Sequence, residues 1–289
     1  MNTTKWLEKN TKSLKGKTVA ISGSTGGLGR ELCSYLLSLS ASLVLVDRNL
    51  KKSQALSEEL KGRYPDANIR HVTVDMTDMS GVRAAAESLL EIGIDYLILN
   101  AGAYSIPRCI CDTGYDNVFQ INFISPYYLA RALLPMIKAR GGKVVAVGSI
   151  AHNYSRIDMN DVDFKTRKKA SLVYGNAKRY LTYSLFDLAE DGCVAIVHPG
   201  ITFTGITAHY PKLIFALIKH PMKIIFMHPK KASLSVIYAL FNACNKNEWV
   251  GPALFDVWGM PKKKPLNTAK QAEAEKIVKI AEKIYANLK

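Results

Sequence analysis

The stretch Ser22-Gly23-Ser24-Thr25-Gly26-Gly27-Leu28-Gly29-Arg30 follows a short β-branched run, residues 18–22, and opens a segment of helical period over residues 28–39. A glycine-rich turn between a strand and a helix lets backbone approach a pyrophosphate, and the unpaired N–H groups of the first helical turn attract the anion. Alone, such a turn also fits an ordinary strand-to-helix connection, because turns favour glycine. The second run, residues 42–47, ends in Asp47, which lies 18 residues beyond Gly29. That is near the offset of about 20 at which a carboxylate accepts from a ribose hydroxyl. Together the two spacings point to a dinucleotide site.

The same alternation continues outward from the loop. Apolar runs at 69–75, 94–100, 143–149 and 193–198 are separated by helical patterns at 51–63, 79–92, 124–139 and 171–190. Strands alternating with helices predict an α/β fold, a doubly wound parallel sheet of Rossmann type. The runs are nearly continuously apolar, as expected where helices cover both faces of a sheet. Beyond Gly200 the pattern predicts an apolar, lysine-dotted stretch, a helix at 231–245, a short strand near 253–257 and a helical tail at 269–288. No linker divides the chain. Residues 1–289 are expected to form one domain, with a polar extension (1–16), a dinucleotide-binding and catalytic core (17–204), a substrate lid and helix (205–250), and a last strand and C-terminal helix (251–289).

Composition excludes several classes. Of 289 residues, 48% are hydrophobic and 22% charged, which is ordinary for a folded globular chain and unlike a disordered one. The longest uncharged apolar stretches fall far short of the roughly 20 residues of a membrane span. The start is polar and rich in lysine, without the apolar run of a secretory signal, so a cytoplasmic protein is expected. Five cysteines, an odd number, suit free thiols in a reducing compartment. Neither the Cys109/Cys111 pair nor the histidines show metal-ligand spacing, so no metal is expected. The net charge of +15 sits mainly at the two ends, +4 in residues 1–17 and +9 in residues 205–289. The C-terminal excess uses lysine only and matches no nucleic-acid module, so nucleic acid is not an expected partner.

Tyr174 and Lys178 stand four apart, one helical turn, so both project from one face. A phenol with an ordinary pKa of about 10 exchanges protons poorly at neutral pH, and a neighbouring ammonium lowers that value by stabilising phenolate. Ser149 and the Asn100-Ala101-Gly102 turn end strands at the carboxyl edge, where ligands of such sheets bind. Asn122 falls in a helix after the fourth strand. Asp75 would meet an adenine edge or serve as a strand-end turn residue, with Met76 beside it. Asp47 repels a 2′-phosphate and favours NAD(H), whereas Arg48 is a fork able to hold one, leaving NADP(H) open.

Gly23-x-x-x-Gly27-x-Gly29, Asn100-Ala101-Gly102, Asn122, Ser149, Tyr174-x-x-x-Lys178 and Pro199-Gly200-Ile201-Thr202-Phe203-Thr204 occur in an order that resembles the short-chain dehydrogenase/reductase family, single-domain branch. The resemblance implies Tyr174 as general acid/base, Ser149 polarising a carbonyl, Lys178 tuning the tyrosine and holding the nicotinamide ribose, and Asn122 positioning a relay water. Ser22, Gly23, Thr25, Gly27, Leu28, Gly29, Asp47, Arg48, Asp75, Met76, Asn100, Ala101, Gly102, Pro199, Gly200, Thr202 and Thr204 would line the cofactor. Ser149 and Tyr174 lie 25 apart, and this gap with the Ser149-Ile-Ala-His152 run resembles the retinol-dehydrogenase-like branch.

An NAD(P)-dependent oxidoreductase acting on the carbonyl or secondary alcohol of an apolar small molecule is therefore expected. The alternatives are a catalytically silent NAD(P)-binding sensor or partner-binding protein, and an epimerase or dehydratase of the same family, which the short C-terminal region disfavours. Residues 205–229 fit a lid over an apolar pocket and, as an addition, a peripheral membrane contact. Resemblance also implies a homodimer or homotetramer through the helices after the fourth and fifth strands.

Overall fold

The computed structural model describes residues 3–189, 191–200 and 227–288. At its centre β1 (Thr18–Ser22) pairs in parallel with β2 (Ser42–Asp47) on one side and β4 (Tyr96–Leu99) on the other. The sheet continues through β3 (Ile69–Thr73), β5 (Lys143–Val147), β6 (Val194–Val197), β7 (Glu248–Leu254) and β8 (Trp258–Pro265) in the order β3-β2-β1-β4-β5-β6-β7-β8. The central runs contain almost only apolar residues because alternate side chains enter different cores. Val19, Ile21, Leu43, Leu45, Val145 and Val197 face one cluster, and Ala20, Val44, Val46, Leu97, Ala146 and Ile196 the other. Full burial of one such Val, Leu or Ile side chain contributes about 1.5–3 kcal/mol.

Helices supply both covers. Against one face pack residues of α1 (Thr3–Asn10), α2 (Gly27–Ser38), α3 (Leu50–Arg63) and α9 (Leu234–Phe241), the last preceded by a short α8 (Pro229–Ala232). Against the other pack α4 (Met79–Ile92), α6 (Ser125–Ala139), α7 (Ala170–Asp187) and α10 (Gln271–Asn287). A one-turn α5 (Asn117–Phe119) and a π-turn (Gln120–Ile124) lead into α6.

Three expectations are corrected. The β3 run is not continuously apolar in its setting: it is an edge strand on which Arg70 and Thr73 are exposed and only Val72 is fully buried. The strand expected near 253–257 is the turn of a hairpin, where Phe255 and Asp256 adopt left-handed φ values of 52° and 57°. Strands lie on either side of it, and β8 runs antiparallel to β7. The polar N-terminal extension contributes to the core, since Trp6 and Leu14 are buried and Trp6 meets Tyr238 at 6.2 Å between ring centroids. Helix α10 packs on α6 and α7, the helices after the fourth and fifth strands. Tyr285 lies 6.2 Å from Tyr127 and 5.4 Å from Tyr128, and the Arg131 guanidinium stands 4.8 Å over the Tyr285 ring.

The lid expected over 205–229 lies outside the described residues up to 226, as do Thr202 and Thr204. No helix among the described residues is long and apolar enough to cross a membrane.

Candidate active site

Ser22 closes β1, and its hydroxyl joins two loops at the carboxyl edge. Its Oγ accepts from the backbone N–H groups of Asn100 and Ala101, both at 3.0 Å. Asn100 Nδ2 donates back to the carbonyl oxygens of Ser22 (3.1 Å) and Gly23 (2.9 Å). The glycine loop and the Asn100-Ala101-Gly102 turn are thus one unit. Gly23 has φ of 68°, and a Cβ there would meet Ala101 Cα at 2.9 Å; a Cβ on Gly29 would meet the Gly23 carbonyl oxygen at 2.3 Å. Both positions require glycine for close approach. Gly26 precedes α2 as an N-cap without a side chain, so the N–H groups of Gly27, Leu28 and Gly29 keep no intrahelical partner, while the buried Leu28 side chain anchors the turn. A pyrophosphate fits these donors.

Asp47 is placed differently from the ribose-facing position expected of it. Its residue is only 5% exposed, and the carboxylate turns inward. Oδ2 accepts from the Ser24 and Ser53 hydroxyls, the latter at 3.1 Å, and Oδ1 accepts from the Thr25 N–H at 3.3 Å. Ser53 in turn meets His71 Nδ1 at 2.9 Å. The carboxylate therefore braces the glycine loop from beneath. Arg48, by contrast, has a side chain 75% exposed, with its guanidinium 3.8 Å from the Asp75 carboxylate. Asp75 is also a turn residue, accepting from Thr77 N–H (2.9 Å) and Thr77 Oγ1 (2.8 Å). Met76 buries its side chain, and its carbonyl accepts from Ser125 Oγ at 2.6 Å.

Asn122 and Lys178 converge on Gly102. A Cβ on it would sit 2.9 Å from Asn122 Oδ1 and 3.7 Å from Lys178 Nζ. Asn122 lies in the π-turn, a helical irregularity found often at functional sites, and is fully buried. It accepts from Ala103 N–H (3.2 Å) and donates to the carbonyls of Ala103 and Val118, both at 2.8 Å. Lys178 is 3% exposed and donates to the Val147 carbonyl at 2.8 Å; burial holds its ammonium down to about 8. Its Nζ stands 5.7 Å from the centroid of the Tyr174 ring, against which Tyr104 packs edge-on at 5.4 Å.

Burial pushes the half-buried Tyr174 up to about 12, with the Ser149 hydroxyl pulling in the opposite direction. Ser149 caps a single 3-10 turn after β5, its Oγ accepting from Ala151 N–H at 3.2 Å.

Sequence reasoning missed the residues behind Ser149. The Ser149 carbonyl can only accept, so His152 Nδ1, 2.6 Å away, carries the proton, and Nε2 accepts from Thr268 Oγ1 at 2.8 Å. Thr268 Oγ1 takes a hydrogen bond from Tyr183 at 2.6 Å. The fully buried Arg179 donates to the carbonyls of His152 and Thr268, each at 3.0 Å, and grips Glu273 of α10 with bonds of 2.8 and 2.7 Å. The Ser149-Ile-Ala-His152 run was the one available signal; nothing in sequence links Arg179 to Glu273. Gly200, at φ of 84°, follows Pro199 past the end of β6 and is buried. Among the described residues no group of three or more His, Cys, Asp or Glu is placed to hold a metal ion, and the five cysteines are free.

Comparison with known proteins agrees with this architecture. Residues 17–160 match the family described as short chain dehydrogenase. An uncharacterized oxidoreductase of Schizosaccharomyces pombe is 26% identical over 100% of this chain and 91% of its own length. Human retinol dehydrogenase 13 is 24% identical, over 68% of this chain and 62% of its own length. Among solved structures, an uncharacterized protein from Mycobacterium Paratuberculosis superposes with a TM-score of 0.76 at 21% identity, covering 96% of both chains. L-sorbose reductase from Gluconobacter frateurii, solved with NADPH and L-sorbose, gives 0.63 at 21% identity over 80% of this chain and 91% of that one. Loop, turn and helix motifs recur in family order on a sheet of the family's kind, and this chain belongs to the short-chain dehydrogenase/reductase family, with resemblance to its retinol-dehydrogenase members.

Proposed function

We propose that this chain is an NADP(H)-dependent oxidoreductase that interconverts a carbonyl and a secondary alcohol on an apolar small molecule. The observation that carries the reading is the convergence of Asn122, Lys178 and Gly102 at the carboxyl edge, with Tyr174 one helical turn from Lys178. The bound nicotinamide would supply or accept the hydride. Everything else falls to the protein. The α2 N-terminus and the glycine loop hold the pyrophosphate, and Lys178 reaches toward a ribose with the donors its Val147 bond leaves free. Ser149 donates to the substrate oxygen, and Tyr174 delivers a proton to that oxygen as negative charge develops there. A phenol held near 12 is a reluctant acid toward water, yet it is well matched to an alkoxide of still higher basicity.

The inward turn of Asp47 supports NADP(H) over NAD(H), because it removes the carboxylate from the ribose and leaves Arg48 as the nearest charged side chain at the strand tip. NADPH in the L-sorbose reductase structure and the names of the retinol dehydrogenases support the cofactor type and an apolar substrate. Thr202 and Thr204 are assigned to the carboxamide end of the cofactor, residues 17–204 to the catalytic core and 205–250 to the substrate lid. Five free thiols support a reducing, cytoplasmic setting. Titration with NADPH and NADH, followed by a panel of apolar aldehydes and ketones, tests the reading. Tyr174→Phe should abolish turnover and leave NADPH affinity unchanged. Retained turnover would sink the mechanism, and tight binding without any turnover would favour a sensor.

A further inference from the structure

The sheet ends in a hairpin whose tip is apolar and exposed. Leu254 is 58% exposed, Phe255 86% and Trp258 40%, around a turn where polar residues or glycine are usual. The turn is held in shape, because Lys264 Nζ donates to Asp256 Oδ1 (2.8 Å) and to the Pro252 carbonyl (2.5 Å). That bond also offsets the charge of the one carboxylate at the tip. Exposed lysines follow the tip along β8, Lys262 opposite Gly251 and Lys263 opposite Val250. Lys262 has no carboxylate partner among the described residues.

Topology gives the tip its place. Strand β7 is parallel to β6, so its C-terminal end emerges on the same edge as Ser149 and Pro199. A Cβ on Gly200 would meet the Val257 carbonyl oxygen at 3.0 Å and Pro252 Cγ at 3.1 Å, which puts the hairpin turn against the backbone beside the candidate active site.

We propose that the β7–β8 hairpin is a lipid-docking element that seats this edge of the molecule on an anionic membrane surface. Phe and Trp are suited to the headgroup boundary, and the exposed lysines that follow on β8 complement acidic lipid. A second copy of the chain is a poorer occupant. Pro261 and Pro265 lack an N–H on the edge strand, and lysines line it between them, the devices that prevent strand addition. The proposal does not depend on the reaction assigned above.

The test is co-sedimentation of the full chain with vesicles of phosphatidylcholine, alone or with a minority of phosphatidylserine. The expected result is binding to the anionic vesicles at low salt that weakens as salt rises. Leu254→Ser with Phe255→Ser should lower the bound fraction about tenfold or more, and Lys262→Glu with Lys263→Glu should abolish the preference for phosphatidylserine. Trp258 emission should be quenched by bromine-labelled lipid, while far-UV circular dichroism and nucleotide affinity of both variants match the parent chain. Absence of binding at low salt, binding unchanged by the tip substitutions, or no quenching overturns the proposal. So does a change of molecular mass on tip substitution without vesicles, which would assign the tip to a protein contact.

Discussion

His152 Nδ1 lies 2.6 Å from the Ser149 carbonyl oxygen, and Nε2 of the same ring lies 2.8 Å from Thr268 Oγ1. The imidazole thus ties the backbone of the residue proposed to polarise the substrate to the segment that leads into α10. Its pKa is lowered by burial, and the two bonds fix which ring nitrogen carries the proton. Substituting His152→Ala should reduce kcat by about 10- to 100-fold through misplacement of Ser149, because errors near 1 Å are costly in such sites. NADPH affinity should hold within about twofold, since the glycine loop is remote from the ring. Steady-state kinetics with nucleotide titration checks this, and an unchanged kcat removes His152 from the positioning role.

Lys178 predicts a pH dependence of stability. Its folded pKa of about 8 lies below the ordinary 10.5 of an unfolded lysine. Between those values the unfolded chain holds a proton that the folded chain has released, so this residue's contribution to stability rises with pH from about 8 to 10.5. At neutral pH the buried ammonium costs up to about 3 kcal/mol, the equivalent of two to three pK units. Lys178→Met should raise the urea midpoint at pH 7 and flatten the rise above pH 8 relative to the parent chain. A variant less stable at pH 7 would contradict this, and it should in any case be inactive.

Asp47 and Arg48, neighbours in sequence, should fail differently. Arg48→Ala is expected to weaken NADPH binding about tenfold or more and spare NADH, the signature of a lost contact to a 2′-phosphate. Asp47→Asn should weaken both nucleotides to a similar extent, because it loosens Ser24 and Thr25 beneath the loop. If Asp47→Asn instead improves NADPH selectively, the carboxylate faces the ribose after all.

The Arg179–Glu273 pair should be a stability determinant. Arg179 is fully buried, and Glu273→Ala would leave its guanidinium without a counter-charge at a cost of about 3 kcal/mol. The double change Arg179→Met with Glu273→Met should recover much of that loss in urea unfolding. Because α10 also lies on α6 and α7, light scattering should return a monomer near 32.0 kDa. A dimeric or tetrameric mass would mean that another face associates.

What the sequence disclosed, and what it hid, follows from range. Val19, Ala20 and Ile21 are buried on alternate faces, so the central strands are written as unbroken apolar runs and were legible. The β8 strand was not, because Lys262, Lys263 and Lys264 between prolines carry no strand signal and the strand exists through its pairing with β7. The spacing of four between Tyr174 and Lys178 predicts the single helical turn that separates them on α7. Asp47 was found but its direction was not, since one strand-tip position serves a carboxylate turned outward to ribose or inward to Ser24 and Ser53. His152 and Thr268 stand 116 residues apart, and Arg179 and Glu273 94 apart, distances over which one sequence gives no hint of contact.

The bracing of the glycine loop by Asp47 bears on kinetics. A loop already fixed by Ser24, Thr25, Ser53 and the stitch from Ser22 to Asn100 has little left to order when a nucleotide arrives. Nucleotide exchange would then be governed by the making and breaking of the ligand's own contacts, with no refolding of the cradle in either direction. The residence time of the dinucleotide would accordingly be set from the Arg48 and Lys178 ends of the site, while the glycine turn between them acts as a fixed seat.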